Sequence, residues 1–431
     1  MTGVIPRHYT AMAMLAAGLL TGGVAISPAT AADLGGNCCV DLEERVAELE
    51  ATTARKGNRR VSLTISGQVN TALMAWDDGR RSDVFVVDVG DKNLTGTSFQ
   101  FDGSARITPS LTAGFQIVVG LATGARSHQV SQEDDDASRK ESTIAIELAN
   151  WYVDHKHFGR VALGRINTAT AGVTTVDLGG AGVIANANIG HWQRSFFINA
   201  EGNPTEFIWS NALGGDAVNG SGLSRANAIS YTTPTMSGFT LAAAWGENDV
   251  WDVALRYAGE FSGFRVAGAI GYINNSSGIN EVTAETQYGP QPSQWKGSAS
   301  ILHVGSGLYL TAAYVNQDND TEGNPNTVLW YVQGGISRNW TGVGSTVLYG
   351  EHAHVNDAAA AVGPGGLGIP SYIATSDARV WGLGVVQHID AAAMEVYLAY
   401  RRYSAEANIY REITIEANDF SVVMGGARIR F

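Results

Sequence analysis

The last eleven residues, Ser421-Val422-Val423-Met424-Gly425-Gly426-Ala427-Arg428-Ile429-Arg430-Phe431, alternate between two kinds of side chain. Val423, Ala427, Ile429 and Phe431 fall on one face, Arg428 and Arg430 on the other. Period two belongs to a β-strand, whose successive side chains point to opposite faces. An apolar face backed by a guanidinium face fits a wall between lipid and water, and also an edge strand of a soluble sheet. Repetition separates the two. From residue 61, Leu63, Ile65, Gly67, Val69, Thr71 and Leu73 alternate with Ser62, Thr64, Ser66, Gln68, Asn70 and Ala72. Comparable segments run over 98–107, 110–121, 142–154, 158–165, 225–233, 236–246, 250–261 and 263–273. Others follow at 294–304, 307–316, 327–338, 342–353, 377–388, 392–403 and 419–431. With the first they predict about sixteen strands of bilayer-spanning length.

The connections alternate too. Thr108-Pro109, His155-Lys156-His157, Pro234-Thr235, Ser262-Gly263, Gly305-Ser306, Asn339-Trp340-Thr341 and Asp390-Ala391 read as tight turns. Longer polar or Gly-rich stretches lie between them, except the short Glu247-Asn248-Asp249. A set of soluble sandwich domains has no reason to keep that order. An outer-membrane barrel does, with short periplasmic turns and long external loops. Aromatics gather near predicted strand ends, Trp76, Trp151, Trp245, Trp251, Trp295, Trp330, Trp381 and Phe431 among them, as membrane girdles require. The fold class is therefore all-β, a transmembrane antiparallel barrel of about sixteen strands with a short N-terminal periplasmic helix.

The N-terminus explains how such a chain reaches the membrane. Arg7 and His8 precede an apolar stretch, and Ala29-Thr30-Ala31 is a small-x-small cleavage site. This is the layout of an export signal over 1–31. Residues 32–60 form a second segment. Within it Leu42, Val46 and Leu49 make a short a/d seam on a predicted helix, suited to packing between subunits or to a free amphipathic helix. Cys38 and Cys39, the only cysteines, are adjacent and give no disulfide framework. The barrel occupies 61–431. A formal net charge of −13 argues against a nucleic-acid partner.

The run from Asp41 through Arg60 into Val61-Ser62-Leu63-Thr64-Ile65-Ser66-Gly67-Gln68-Val69-Asn70 resembles the start of the mature porins of rhizobial-type alphaproteobacteria. The C-terminal Arg430-Phe431 and the strand rhythm fit the same family. The resemblance implies a sixteen-stranded general porin of the Gram-negative outer membrane. It also implies homotrimers that admit small hydrophilic solutes and ions, with outer-membrane lipid and lipopolysaccharide around them. No family motif assigns the external loops residue by residue.

Candidate pore residues come from parity and loop length. The stretch 166–223 is too long for an ordinary hairpin loop and follows the fifth strand. Resemblance suggests that it folds inward as a constriction, with its first part, 168–184, apolar enough to pack on the wall. A large external loop at a subunit contact is the alternative. With the apolar face outward, Asp102, Arg106, Glu147, Arg160, Asp252, Arg256, Arg265, Lys296, Glu395, Arg401, Arg428 and Arg430 point inward. Asp177 on the loop, opposed by Arg106, Arg160, Arg265 and Arg401, is the expected constriction set. Each residue reads equally as a salt-bridged strut of the lumen.

No catalytic, metal or cofactor motif appears. The acidic run Glu133-Asp134-Asp135-Asp136 reads as a solvated loop tip or a cation bridge to lipopolysaccharide. The expected function is passive diffusion of small hydrophilic solutes and ions, not enzymatic chemistry. A solute-specific channel and a surface adhesin are the alternatives. Pore radius, ion selectivity and natural solutes are not legible in the sequence.

Overall fold

The computed structural model describes residues 61–89, 95–122, 126–133, 143–200, 203–214, 225–246, 250–274, 293–318, 325–359, 373–409 and 413–431. The signal at 1–31, the segment 32–60 with Leu42, Val46, Leu49, Cys38 and Cys39, and Asp134–Asp136 lie outside the described residues.

Twenty strands follow in chain order. The first ten are β1 (Ser62–Asp77), β2 (Ser82–Asp88), β3 (Ser98–Thr108), β4 (Leu111–Ala122), β5 (Thr143–His155), β6 (Gly159–Asn167), β7 (Phe197–Ala200), β8 (Asn203–Ile208), β9 (Arg225–Thr232) and β10 (Phe239–Gly246). The rest are β11 (Trp251–Phe261), β12 (Phe264–Asn274), β13 (Gln294–His303), β14 (Leu308–Gln317), β15 (Thr327–Arg338), β16 (Thr346–Asn356), β17 (Ile373–Ile389), β18 (Met394–Ile409), β19 (Ile413–Glu416) and β20 (Phe420–Arg430). Eighteen join one antiparallel sheet, and β7 and β8 form a separate hairpin. Two positions in the sheet are each filled by two strands end to end. β2 and β3 share one against β1, and β19 and β20 share another against β18. The wall therefore has sixteen positions, and β1 pairing with β20 closes it.

Each predicted strand coincides with a wall strand. The sequence reading missed the return strand β2, which follows a tight turn closed by Asp78: its carboxylate accepts the N–H groups of Arg80 and Arg81 at 2.9 and 2.6 Å. Short turns at the other rim use left-handed backbone. Ser262 and Gly263 at φ 50° and 79° suit a two-residue hairpin whose twist matches the strands. At the closure, Gly67 and Phe431 exchange both backbone hydrogen bonds, at 2.9 and 3.0 Å.

Register separates the faces. Ile65, Val69, Leu163, Leu255, Ile270 and Leu383 are exposed on the outer wall. An aromatic row rings the long-loop end of that wall. Trp245 opposes Trp251; Trp251–Tyr272 and Tyr272–Trp295 ring centroids lie 5.5 and 4.7 Å apart; Trp330–His352 and Trp381–Tyr400 lie 5.0 and 5.2 Å apart. The row covers β10–β18. At the same level on β2 and β5 stand aliphatic residues instead: Val86 is 70% exposed, Ile144 74% and Ile146 61%.

Candidate functional site

After Asn167 the chain turns into the barrel. Backbone that leaves a strand loses its ladder partners and must find others. The inner wall supplies them in sequence. Asp252 accepts the N–H groups of Ala169 and Thr170 at 3.0 and 2.7 Å, and Thr170 Oγ1 at 2.8 Å. Arg256 Nη2 donates to the carbonyls of Ala169 and Ala171, both at 2.7 Å. Ser298 Oγ donates to Val173 O at 2.7 Å and accepts Val176 N–H at 3.1 Å; Ser300 Oγ accepts Leu178 N–H at 3.0 Å.

The loop tip follows. The Asp177 carboxylate accepts the N–H groups of Gly179, Gly180, Ala181 and Gly182 at 2.7–3.1 Å, folding the tip around itself. Gly179 presses on Tyr309, and a Cβ there would sit 2.2 Å from the ring. His388 Nε2 lies 3.0 Å from Gly180 O.

Beyond the tip, a buried ion pair fastens the loop. Arg401 Nε and Nη2 donate to Glu351 Oε1 and Oε2 at 2.6 and 2.9 Å, with both side chains 1% exposed. Tyr331 OH gives Glu351 a third hydrogen bond at 2.8 Å. Arg401 also reaches the carbonyls of Asn186 and Ile189 at 3.5 and 3.4 Å and lies 4.5 Å from the Trp192 ring centroid. Tyr403 OH donates to Ile189 O at 3.2 Å. Past this point Phe196 and Trp209 of the loop join Trp76, Phe85, Tyr403 and Phe420 of the wall in one aromatic cluster. A segment of the preceding long connection binds here as well. Ser127 Oγ donates to His191 O at 2.8 Å, and Gln132 brackets Phe197 through its N–H at 2.8 Å and its carbonyl at 2.7 Å.

The loop thus follows the inner wall from β11 round to β20 and β1. Burial records its path. On β13–β16 the inward residues are almost all buried, Ser298, Ser300, Thr311, Tyr331, Gln333, Tyr349 and Glu351 among them. On β3–β6 most inward residues stay half-buried or exposed, Gln100, Asp102, Gln116, Asn150, Tyr152, Asp154 and Arg160 among them, whereas Glu147 of β5 is buried. One sector of the wall is covered and the other is open.

The twelve wall charges read from parity all fall on the inward side, but not in one group. Glu395 pairs with Arg428 and Arg430 at 2.6 and 2.9 Å. Glu147, at a bulge opposite Val118 and Val119, pairs with Arg225 in a buried contact. Lys296 is 2% exposed on the covered sector, as are Asp252 at 2% and Arg256, half-buried. Asp102 and Arg106 stand on the open sector. The five residues expected to face one another are not brought together. Among the described residues, only Arg401 of the four arginines contacts the loop, beyond the first part and away from Asp177. Arg160 is held by Asp154 at 2.8 Å beside the Lys156 turn, and Arg265 by Glu260 at 2.8 Å beside the Ser262–Gly263 turn. Arg106 is exposed near Pro109. The fastening residues Ser298, Ser300, Tyr331, Glu351 and His388 were not singled out from the sequence. Inward parity marks Glu351, but only the loop's path gives it a partner.

A family model described as Gram-negative porin matches residues 13–427. Among curated proteins none matches. Several solved structures share the fold. The trimer form of in-vitro folded OmpT, an outer membrane protein of Vibrio cholerae, is 15% identical, covers 86% of this chain and 99% of its own, and has a TM-score of 0.52. An anion-selective porin from Comamonas acidovorans is 15% identical, with 86% and 100% coverage and a TM-score of 0.53. Salmonella typhi OmpF, in complex with daunomycin, is 14% identical, with 86% and 98% coverage and a TM-score of 0.51.

Proposed function

The chain belongs to the Gram-negative porin family, and from that premise we propose how this outer-membrane channel is built and assembled. Solutes pass along the open sector of β3–β6, while the loop after β6 fills the rest of the cross-section. The observation that carries this reading is the contrast between buried inward residues on β13–β16 and half-buried ones on β3–β6. The carboxylates and tyrosines of the covered sector serve to hold the loop, so the chain works by passive diffusion rather than catalysis.

The assembly is read as a homotrimer. Aromatic side chains sit where a barrel meets the headgroups, and their row stops at the sector of β2 and β5. Val86, Ile144 and Ile146 there suit a protein neighbour better than an interfacial lipid layer. The lipid-facing remainder meets membrane lipid and lipopolysaccharide. The run 41–70 supports placing the chain in the rhizobial-type branch of the family. Liposome swelling with sugars of graded size tests the channel reading. Permeation should fall smoothly with solute size. Uptake of a single sugar against that trend would favour a solute-specific channel, and no swelling at all would refute both.

A further inference from the structure

One carboxylate on the open sector has no counter-ion among the described residues. Asp102 stands half-buried on the inward side of β3. Its two oxygens accept from Gln100 Nε2 at 2.6 Å and Gln116 Nε2 at 3.3 Å. Neutral amides orient the carboxylate without cancelling its charge. Several other inward charges sit in ion pairs: Arg160 with Asp154, Arg265 with Glu260, and Arg401 with Glu351. Glu395 holds both Arg428 and Arg430, the second of them 52% exposed at the C-terminal end of β20, where solvent screens its excess charge. A matched pair acts on a passing ion as a dipole, whose field falls faster with distance than that of a lone charge.

Arg106 is the competing lone charge, on the same face four residues further along β3. Four strand steps place it about 13 Å away, beyond the ~8 Å screening length at physiological salt. It is exposed close to the Pro109 turn, where electrolyte surrounds it. Asp102 lies further along the wall, flanked by its glutamines.

We propose that Asp102 is the fixed charge that makes this channel prefer small cations to anions, an inference that rests on the open sector being the solute path. A unit charge about 5 Å from the path, in water at physiological salt, changes local ion concentrations roughly twofold, upward for cations and downward for anions. The permeability ratio should therefore change about fourfold.

The test is the reversal potential of the reconstituted protein in a potassium chloride gradient. The wild type should be cation-selective. Asp102→Asn should lower the potassium-to-chloride ratio about fourfold, by the same screened-charge argument, and Asp102→Glu should preserve it. Gln116→Glu, which leaves Asp102 in place, should raise the ratio and serves if the Asn variant fails to fold. An anion-selective wild type, or a conducting Asp102→Asn channel with unchanged ratio, overturns the assignment while the channel stands. An unchanged ratio in Gln116→Glu likewise overturns it. A folded wild type that does not conduct overturns the porin reading beneath it.

Discussion

Replacing Arg401 with methionine tests how the loop is held. In the native barrel Arg401 and Glu351 are both 1% exposed and joined by two hydrogen bonds of 2.6 and 2.9 Å. Methionine keeps much of the side-chain volume but leaves the Glu351 carboxylate buried, with Tyr331 OH as its remaining donor. Removing one partner of a buried pair costs about 3–5 kcal/mol, because the other charge stays uncompensated. The barrel need not unfold to relieve this. Glu351 is hidden by the loop, so loosening residues 185–192 lets water reach it. If the cost falls on the docked loop alone, its stability drops by at least ~3 kcal/mol, a factor of roughly a hundred in the docked-to-released ratio. Arg401→Met should then show frequent transitions to a higher conductance in single-channel recordings and should pass larger sugars. The double variant Arg401→Met with Glu351→Gln removes both charges, which is often nearly neutral, and should return most of the wild-type trace. A folded Arg401→Met channel with wild-type conductance and size cut-off would refute this account of the fastening. So would a double variant as disturbed as the single one.

Gly179→Ala should displace the tip, since the added Cβ would lie 2.2 Å from the Tyr309 ring. Sugar exclusion should shift upward while β-sheet circular dichroism stays unchanged. Ile144→Asp, on the aliphatic sector, should convert trimers to monomers when mass is measured in mild detergent, whereas Ile270→Ser, on the sector ringed by aromatics, should leave the mass unchanged. Asp177→Asn keeps an acceptor but loses the charge shared by four N–H groups, which should loosen the tip and raise the conductance.

The barrel was legible in the sequence because its rule is local. Period two assigns a face to every strand residue, and Arg428, Glu395 and Lys296 fall inward as parity requires. What lies over each inward residue is not local. Asp252 meets Ala169 from 83 positions away, and Arg401 meets Ile189 from 212. No periodicity encodes such meetings, so an anchor and a pore-lining charge look alike in the sequence. Asp177 shows the same limit. Its acidity suggests an electrostatic role toward the wall, yet the glycines that follow turn their N–H groups back onto it. The strand β2 escaped notice for a different reason. Its partner, the far half of β1, extends four residues past the alternation read to Leu73, to Asp77.

In the channel proposed above, one sector of the lumen is covered and the other carries the solutes. This arrangement can be tested by thiol accessibility in the reconstituted channel. In a background with Cys38→Ser and Cys39→Ser, one cysteine is placed at Asn150, inward on β5, and in a second variant at Thr311, inward on β14 and 4% exposed. A bulky charged thiol reagent should react with the Asn150→Cys channel and reduce its conductance, and should leave the Thr311→Cys channel unmodified until denaturation. Modification and block at Thr311→Cys with none at Asn150→Cys would contradict the account.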